Sequence, residues 1–374
     1  MKKTAIILFD YTLLGGVQKI TCNLANLFIE NNFPLDLIIS FKAEEICRYN
    51  YPPNLKICQF DNRASLSEII KKNRIENIII QVEDLKWSTE IADTVSRLGC
   101  KVYCVLHNTP LYWLKKYYTF KQLLSSPLAA LQYLKFYLYW KPLHYRLFKL
   151  IIDMYYVVCV SKTAEIELLK ALKINHKPNV CHIYNPLTSP KESVKSSYVD
   201  KKNIIVYAGR MSYDKRVLFL LKAWKNLFKT QPDWQLYILG DGPEYSKLIS
   251  YKSRHSLQNV HIPGRVDNVE DYLSIAKISA LLSMYEGLPT CILEAVYYNN
   301  AIIATNSDGG IHDLLKDNYN GFILKTLDVN ALTEALRKLM MDDQLCEKMG
   351  NNSSQLYNSI LSEDTINRWK SILE

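Results

Sequence analysis

Residues 283–305 read SMYEGLPTCILEAVYYNNAIIAT, and three structural signals follow one another within them. An apolar run over 279–283 enters the stretch as a strand. Gly287 and Pro289 come next, and a proline suits the first position of a helix because the N–H it lacks would have had no partner there. A helix then begins, and 301–305 (AIIAT) is the following strand. Glu286 therefore falls in the loop beyond a strand's carboxyl end. Glu294, seven intervening residues later, falls in the body of the helix. Glutamates at such a spacing are usually solvated. In this setting both border the crevice that an open parallel sheet presents at its strand ends. The helix start also aims free backbone N–H groups there, which suits a phosphate.

The same grammar extends in both directions. Strands are expected over 4–9, 35–40, 77–81, 101–106 and 157–160, and again over 203–208, 235–239, 260–262, 279–283 and 301–305. They are continuous Ile, Val and Leu runs rather than alternations, which fits parallel strands covered on both faces. Helical segments such as 17–31 and 65–73 lie between them, so the chain reads as α/β. At 374 residues it exceeds what one core usually fills. The polar run 189–202, SPKESVKSSYVDKK, reads as a linker. The expected layout is a domain over 1–188 and a second over 203–361. A final helix, about 362–374, crosses back to the first. Both domains open with a buried strand running into glycine, so two facing Rossmann-like domains with a cleft between them are expected.

Further motifs stand at strand ends. YAGRMSYDKR at 207–216 follows a strand and supplies Arg210, Lys215 and Arg216, cations able to neutralise a diphosphate. Gly15-Gly16 opens the first helix, and glycine lets a backbone approach a phosphate closely. It lacks the third glycine of a dinucleotide fingerprint and is not a P-loop. LGDGPEYSKL at 239–248 reads as a tight turn, and Asp308-Gly309-Gly310 follows another strand. His107 closes the strand over 101–106 and is placed at the same cleft.

Together these residues resemble a retaining glycosyltransferase of the large family 4, with the GT-B fold, over most of the chain from Gly15 to about Gly321. The hallmark is the pair of glutamates in an E-G-x-P context, here Glu286 and Glu294. The phosphate-site arginine and lysine match Arg210 and Lys215, and the N-terminal glycine loop matches Gly15-Gly16. The resemblance implies a nucleotide-sugar donor held mainly by the C-terminal domain. Arg210, Lys215 and the Gly15-Gly16 backbone take its diphosphate, Glu286 its sugar hydroxyls and Glu294 its ribose. His107 touches the sugar, the segment 264–266 including Val266 meets the base, and Leu288 and Pro289 line the donor. Two positions depart from the pattern. Arg216 stands where a glycine usually follows the lysine. His312 stands where a glutamate is more frequent, and it receives no catalytic role.

The chain has no D-x-D spacing, so no metal is expected and Arg210 with Lys215 carries the charge role. The resemblance to a retaining family implies that the acceptor attacks from the leaving-group face with a phosphate oxygen taking its proton. Glu286 is a positioning residue rather than a base, unlike the carboxylate pair of a glycoside hydrolase. UDP is the favoured nucleotide. A sugar-nucleotide epimerase on the same fold and a non-catalytic GT-B-like subunit of a partner transferase are the alternatives.

Composition adds a location. The formal charge is +9, from 46 basic against 37 acidic residues. Between Thr94 and Ile152 there is no Asp or Glu but there are nine Lys or Arg, numerically the whole excess. Twelve aromatics fall within 111–150. Basic residues interleaved with Trp, Tyr and Leu suit a helix lying in an anionic membrane interface, where a lipid-linked glycan acceptor would be met. No helix-turn-helix, zinc or RRM signature supports nucleic acid. The nine cysteines show no C-x-x-C spacing and read as reduced, buried thiols of a cytosolic protein. The apolar run over 5–9 ends at Asp10 and is too short for a signal peptide. The expected location is the cytoplasm, peripheral on the inner face of the cell membrane, with the chain serving surface-polysaccharide synthesis.

Overall fold

The computed structural model describes residues 2–13, 15–42, 49–114, 127–187, 198–361 and 365–374. The chain divides into two compact units. One comprises Met1–Thr188 with Glu363–Glu374, the other Ser189–Ser362. Of the segment expected as a linker, residues 189–197 lie outside the described residues. The remainder is a short 3-10 turn at Tyr198–Asp200 and the start of the next strand.

The first unit is built on a parallel sheet of β1 (Thr4–Asp10), β2 (Leu35–Lys42), β3 (Lys56–Gln59), β4 (Asn77–Val82), β5 (Lys101–Leu106), β6 (Tyr156–Cys159) and β7 (Val180–His182). Their order is β3-β2-β1-β4-β5-β6-β7. β1 sits between β2 and β4, in register Ile6 with Ile38 and with Ile79, and those isoleucines are fully buried. Helices cover both faces of such a sheet, which is why its strands carry no polar alternation. The helix Gly16–Glu30 contributes Ile20, Leu24 and Phe28, spaced one turn apart and all buried.

The C-terminal helix Thr365–Leu373 belongs to this unit. Trp369 packs edge-on against Phe28 at 5.9 Å. The helix end is held by donors to its last carbonyls. Ile372 O accepts from Lys101 Nζ at 2.9 Å and from Tyr103 OH at 2.6 Å, and Leu373 O accepts from Asn77 Nδ2 at 2.9 Å. A cation at this end also suits the helix dipole.

Part of the basic, aromatic stretch forms one run of helix, from Pro127–Lys135 through a π-turn at Phe136–Trp140 into Lys141–Met154. Pro142 has no N–H for the carbonyl of Leu138, and the π-turn falls at that break. Phe136, Phe148, Ile151 and Ile152 face inward. Leu128, Leu131, Leu134, Leu138 and Tyr139 are exposed. The described cations of the stretch do not form one surface. Arg97 pairs with Asp93, and Lys101 holds the C-terminal helix. Lys135, Lys141, Arg146 and Lys149 are exposed on the helical run, and Lys115, Lys116 and Lys121 lie outside the described residues. Among the described residues no helix is long and apolar enough to cross a membrane.

The second unit has a parallel sheet of β8 (Lys202–Ala208), β9 (Gln235–Leu239), β10 (Val260–Gly264), β11 (Ala276–Leu281), β12 (Ala301–Thr305) and β13 (Gly321–Leu324). The order is β10-β9-β8-β11-β12-β13. In each sheet the strand order reverses beside the first strand, between β1 and β4 and between β8 and β11. Loops diverge at such a point and leave a crevice at the strand carboxyl ends. The strand expected over 279–283 ends two residues earlier, at Leu281. The carbonyls of Leu282 and Ser283 are taken by the Arg216 guanidinium, at 2.7 and 2.6 Å.

Candidate functional site

Three loops of the second unit meet at its switch point: the segment after β8, the segment after β11, and the segment after β12. The first runs from Gly209 to Arg216. The hydroxyl of buried Tyr207 donates to Arg210 O at 2.9 Å, so the backbone turns sharply while the Arg210 side chain stays exposed. The turn is backed by the β9 loop, with Met211 N donating to Asp241 O at 2.7 Å. Gly240 has φ +128°, and a Cβ there would lie 2.0 Å from Gly209 O. The 239–248 glycines thus serve a backbone-to-backbone contact with this loop, more than the tight turn expected of them.

Lys215 ends the 3-10 turn Tyr213–Lys215 and donates to Glu286 Oε1 at 2.5 Å. Only 22% of the lysine side chain and 13% of the glutamate's are exposed, so water screens the pair little. Burial alone would lower the Lys215 ammonium. Glu286 beside it outweighs that and holds it above the ordinary lysine value.

Arg216 adopts a left-handed φ of 52°. That explains why a glycine suits this position, and the arginine's three bonds to Leu282 O, Ser283 O and Thr305 Oγ1 offset the strain. The arginine thereby braces β11 against β12. Arg216→Ala should destabilise the second unit by about 1–3 kcal/mol, since two carbonyls lose a charged donor. Chemical denaturation checks this, and an unchanged midpoint would contradict it.

Glu286 is pinned on both sides. Its N–H donates to Asp308 O at 3.1 Å, and Gly310 N donates to Gly287 O at 2.6 Å. Leu288 and Pro289 are buried behind it. Pro289 is the cap before the helix Thr290–Tyr297 rather than its first residue, and its carbonyl accepts from Ile292 N and Leu293 N. Glu294 is buried in that helix. Cys291, at the helix start, has its thiol pushed up to about 12 by burial and then by Glu286, so it stays protonated. Val266 lies half-buried beyond β10, in the loop beside Gly264, and His312 is exposed.

The first unit has its own polar edge. Gly15 caps the helix Gly16–Glu30, and its carbonyl accepts from Lys19 N at 3.1 Å and from Tyr49 OH at 3.0 Å. Beneath it Gln18 Nε2 donates to Asp10 O at 2.9 Å and to Glu83 Oε2 at 3.1 Å, while Glu83 Oε1 accepts from Phe9 N. Burial pushes the Glu83 carboxyl up, against these hydrogen bonds. His107 follows β5 and is hydrogen-bonded to Gln81 at the end of β4. Gln18, Gln81 and Glu83 were not foreseen. Their partners are distant in sequence, and only the pairing of β1 and β5 with β4 unites them. Among the described residues no group of three or more His, Cys, Asp or Glu could hold a metal ion.

Residues 189–356 match the family of glycosyl transferases group 1. Over 178 residues, 47% of this chain and 48% of the relative, the sequence is 32% identical to a Campylobacter jejuni enzyme. That enzyme is the GalNAc-alpha-(1->4)-GalNAc-alpha-(1->3)-diNAcBac-PP-undecaprenol alpha-1,4-N-acetyl-D-galactosaminyltransferase. The match thus spans about half the length of that relative. An uncharacterized glycosyltransferase of Haemophilus influenzae is 23% identical over 386 residues, all of both chains. Among solved structures, Anabaena HepE in complex with UDP superposes with a TM-score of 0.75 over 100% of this chain and 99% of that one, at 14% identity. The chain has the GT-B fold of two parallel α/β sheets, and the part of it that matches the group 1 glycosyl transferases is residues 189–356.

Proposed function

We propose that the chain is a retaining transferase of the family 4 type. It moves a sugar from a nucleotide-sugar donor, a UDP-sugar by preference, to a glycan or lipid-linked glycan in surface-polysaccharide synthesis. The observation that carries this is the largely enclosed Lys215–Glu286 pair beside the start of the helix Thr290–Tyr297. It puts a cation for a diphosphate next to a carboxylate for sugar hydroxyls. Each neutralises the other until a donor offers phosphate to one and hydroxyls to the other. Lys215, exposed Arg210 and the helix N–H groups then stabilise the departing diphosphate without reorganising and without a metal. Glu294 holds the ribose, Val266, Leu288 and Pro289 line the donor, and Gly15-Gly16 and His107 act from the first unit. UDP as nucleotide is supported by its presence in the HepE complex. A lipid-linked acceptor is supported by the undecaprenol-linked glycan in the name of the Campylobacter jejuni relative.

Slow hydrolysis of an α-linked nucleotide sugar, followed by proton NMR, tests the stereochemistry without knowledge of the acceptor. The α sugar should appear first and then mutarotate. A first-formed β anomer would refute retention.

Docking on the inner face of an anionic membrane forms part of the same reading. Its support is the helical run over 127–154, whose exposed leucines and Tyr139 stand among Lys135, Lys141, Arg146 and Lys149. Changing these four cations to glutamate should weaken co-sedimentation with anionic liposomes more than about 10-fold, because each basic residue near such a surface contributes about 1 kcal/mol. Binding indifferent to the reversal would contradict docking.

A further inference from the structure

β4 and β5 run side by side with Gln81 opposite Val105 and Val82 opposite Leu106. Gln81 and His107, one residue beyond β5, therefore reach the same end of the sheet, and both are buried. His107 Nε2 is hydrogen-bonded to Gln81 Oε1. A carboxamide oxygen only accepts, so this contact puts the ring hydrogen on Nε2. A neutral imidazole carries one such hydrogen, which leaves a lone pair on Nδ1. His107 Nδ1 and Gln81 Nε2 are both buried, and neither has a partner among the described residues. Burial lowers the ring's pKa to about 4, with no charged neighbour contributing, so the ring is neutral across ordinary assay conditions.

We propose that Gln81 is a positioning residue that locks His107 as its Nε2–H tautomer and so makes Nδ1 a hydrogen-bond acceptor for the bound sugar. The group it takes must bring its own hydrogen: a sugar hydroxyl, or the N–H of an N-acetylamino group. A phosphate oxygen without a proton cannot pair with it. The inference deepens the functional reading above and rests on it, since His107 is there the residue of the first unit that touches the transferred sugar.

The test has a spectroscopic arm and a kinetic one. In the full chain labelled with 15N-histidine, long-range proton–nitrogen correlation at neutral pH reads the tautomer, with the His107 signal assigned by its loss in His107→Gln. The expected ring has a protonated Nε2 and a bare Nδ1. Gln81→Glu then places a carboxylate beside Nε2, which favours the imidazolium and puts a hydrogen on Nδ1 as the pH falls. Relative to wild type, its kcat/KM for the nucleotide sugar should drop about 10-fold or more between pH 8.5 and pH 6. Gln81→Met, which keeps the bulk and removes the acceptor, should show a loss independent of pH. A ring protonated on Nδ1 in the wild-type protein, or a Gln81→Glu profile parallel to wild type, overturns the inference. Wild-type turnover by His107→Ala overturns instead the reading of His107 as a sugar contact.

Discussion

Lys215→Ala should lower turnover of the nucleotide sugar about 100-fold or more, the scale on which deleting one preorganised charge stabiliser acts. The substitution has two consequences. On the proposed reading, the diphosphate loses the cation paired with Glu286. Glu286 is also left nearly buried with no counter-charge, and breaking such a pair from one side costs about 3–5 kcal/mol. A loss of activity could then reflect a loosened unit. The double variant Lys215→Met with Glu286→Gln separates the two effects, because it replaces the ion pair with neutral groups of similar size. It should recover most of the wild-type thermal stability and none of the turnover. Recovery of both would mean that the pair is structural.

Gly309→Ala is expected to act almost as strongly, although residue 309 offers no chemistry. Gly309 has φ +93°, and a Cβ there would lie 1.6 Å from Glu286 O. The loop cannot yield freely, since bonds to Asp308 O and from Gly310 N hold Glu286 and Gly287 on either side. Something must move by more than an ångström, and the Glu286 carboxylate moves with it. Displacement of that size costs about 100-fold in a reaction that depends on position. Gly99→Ala is the control. Gly99 has φ +86° but open space around its Cβ position, so it should lose only about 1–2 kcal/mol to backbone strain and keep wild-type turnover. Equal turnover by the two variants would show that the Glu286 loop tolerates displacement.

The sequence announces the central strands because a strand buried on both faces has to be apolar throughout. β5, β9 and β12 lie where those runs predict. β3, β7 and β13 were not foreseen, being only three or four residues long, and β3 is half exposed, so no such constraint shapes it. Glu286 and Lys215 are legible because each lies in a local pattern of strand, glycine and turn. Their contact is not, since 71 residues separate them and only the pairing of β8 with β11 brings them together. Arg216 marks the opposite case. A cation beside a phosphate loop reads as a ligand for phosphate, and only its bonds to Leu282 O and Ser283 O reveal its bracing role. In the 94–152 stretch composition identifies basic and aromatic character. It says nothing of the π-turn that divides the helix, or of Lys101, which is used to hold the C-terminal helix.

The claim that Lys215 and Glu286 exchange each other for a donor is met most directly by one thermal-shift comparison. UDP, GDP, ADP and uridine are titrated into the wild-type protein and into the Lys215→Met, Glu286→Gln variant. A ligand that binds only the folded state adds about 2.7 kcal/mol of stability at 100 times its Kd. The account predicts a concentration-dependent rise in Tm with UDP for the wild type, little with uridine, and little with either for the variant. Equal shifts with UDP in both proteins, or no shift with any nucleoside diphosphate in the wild type, would contradict it.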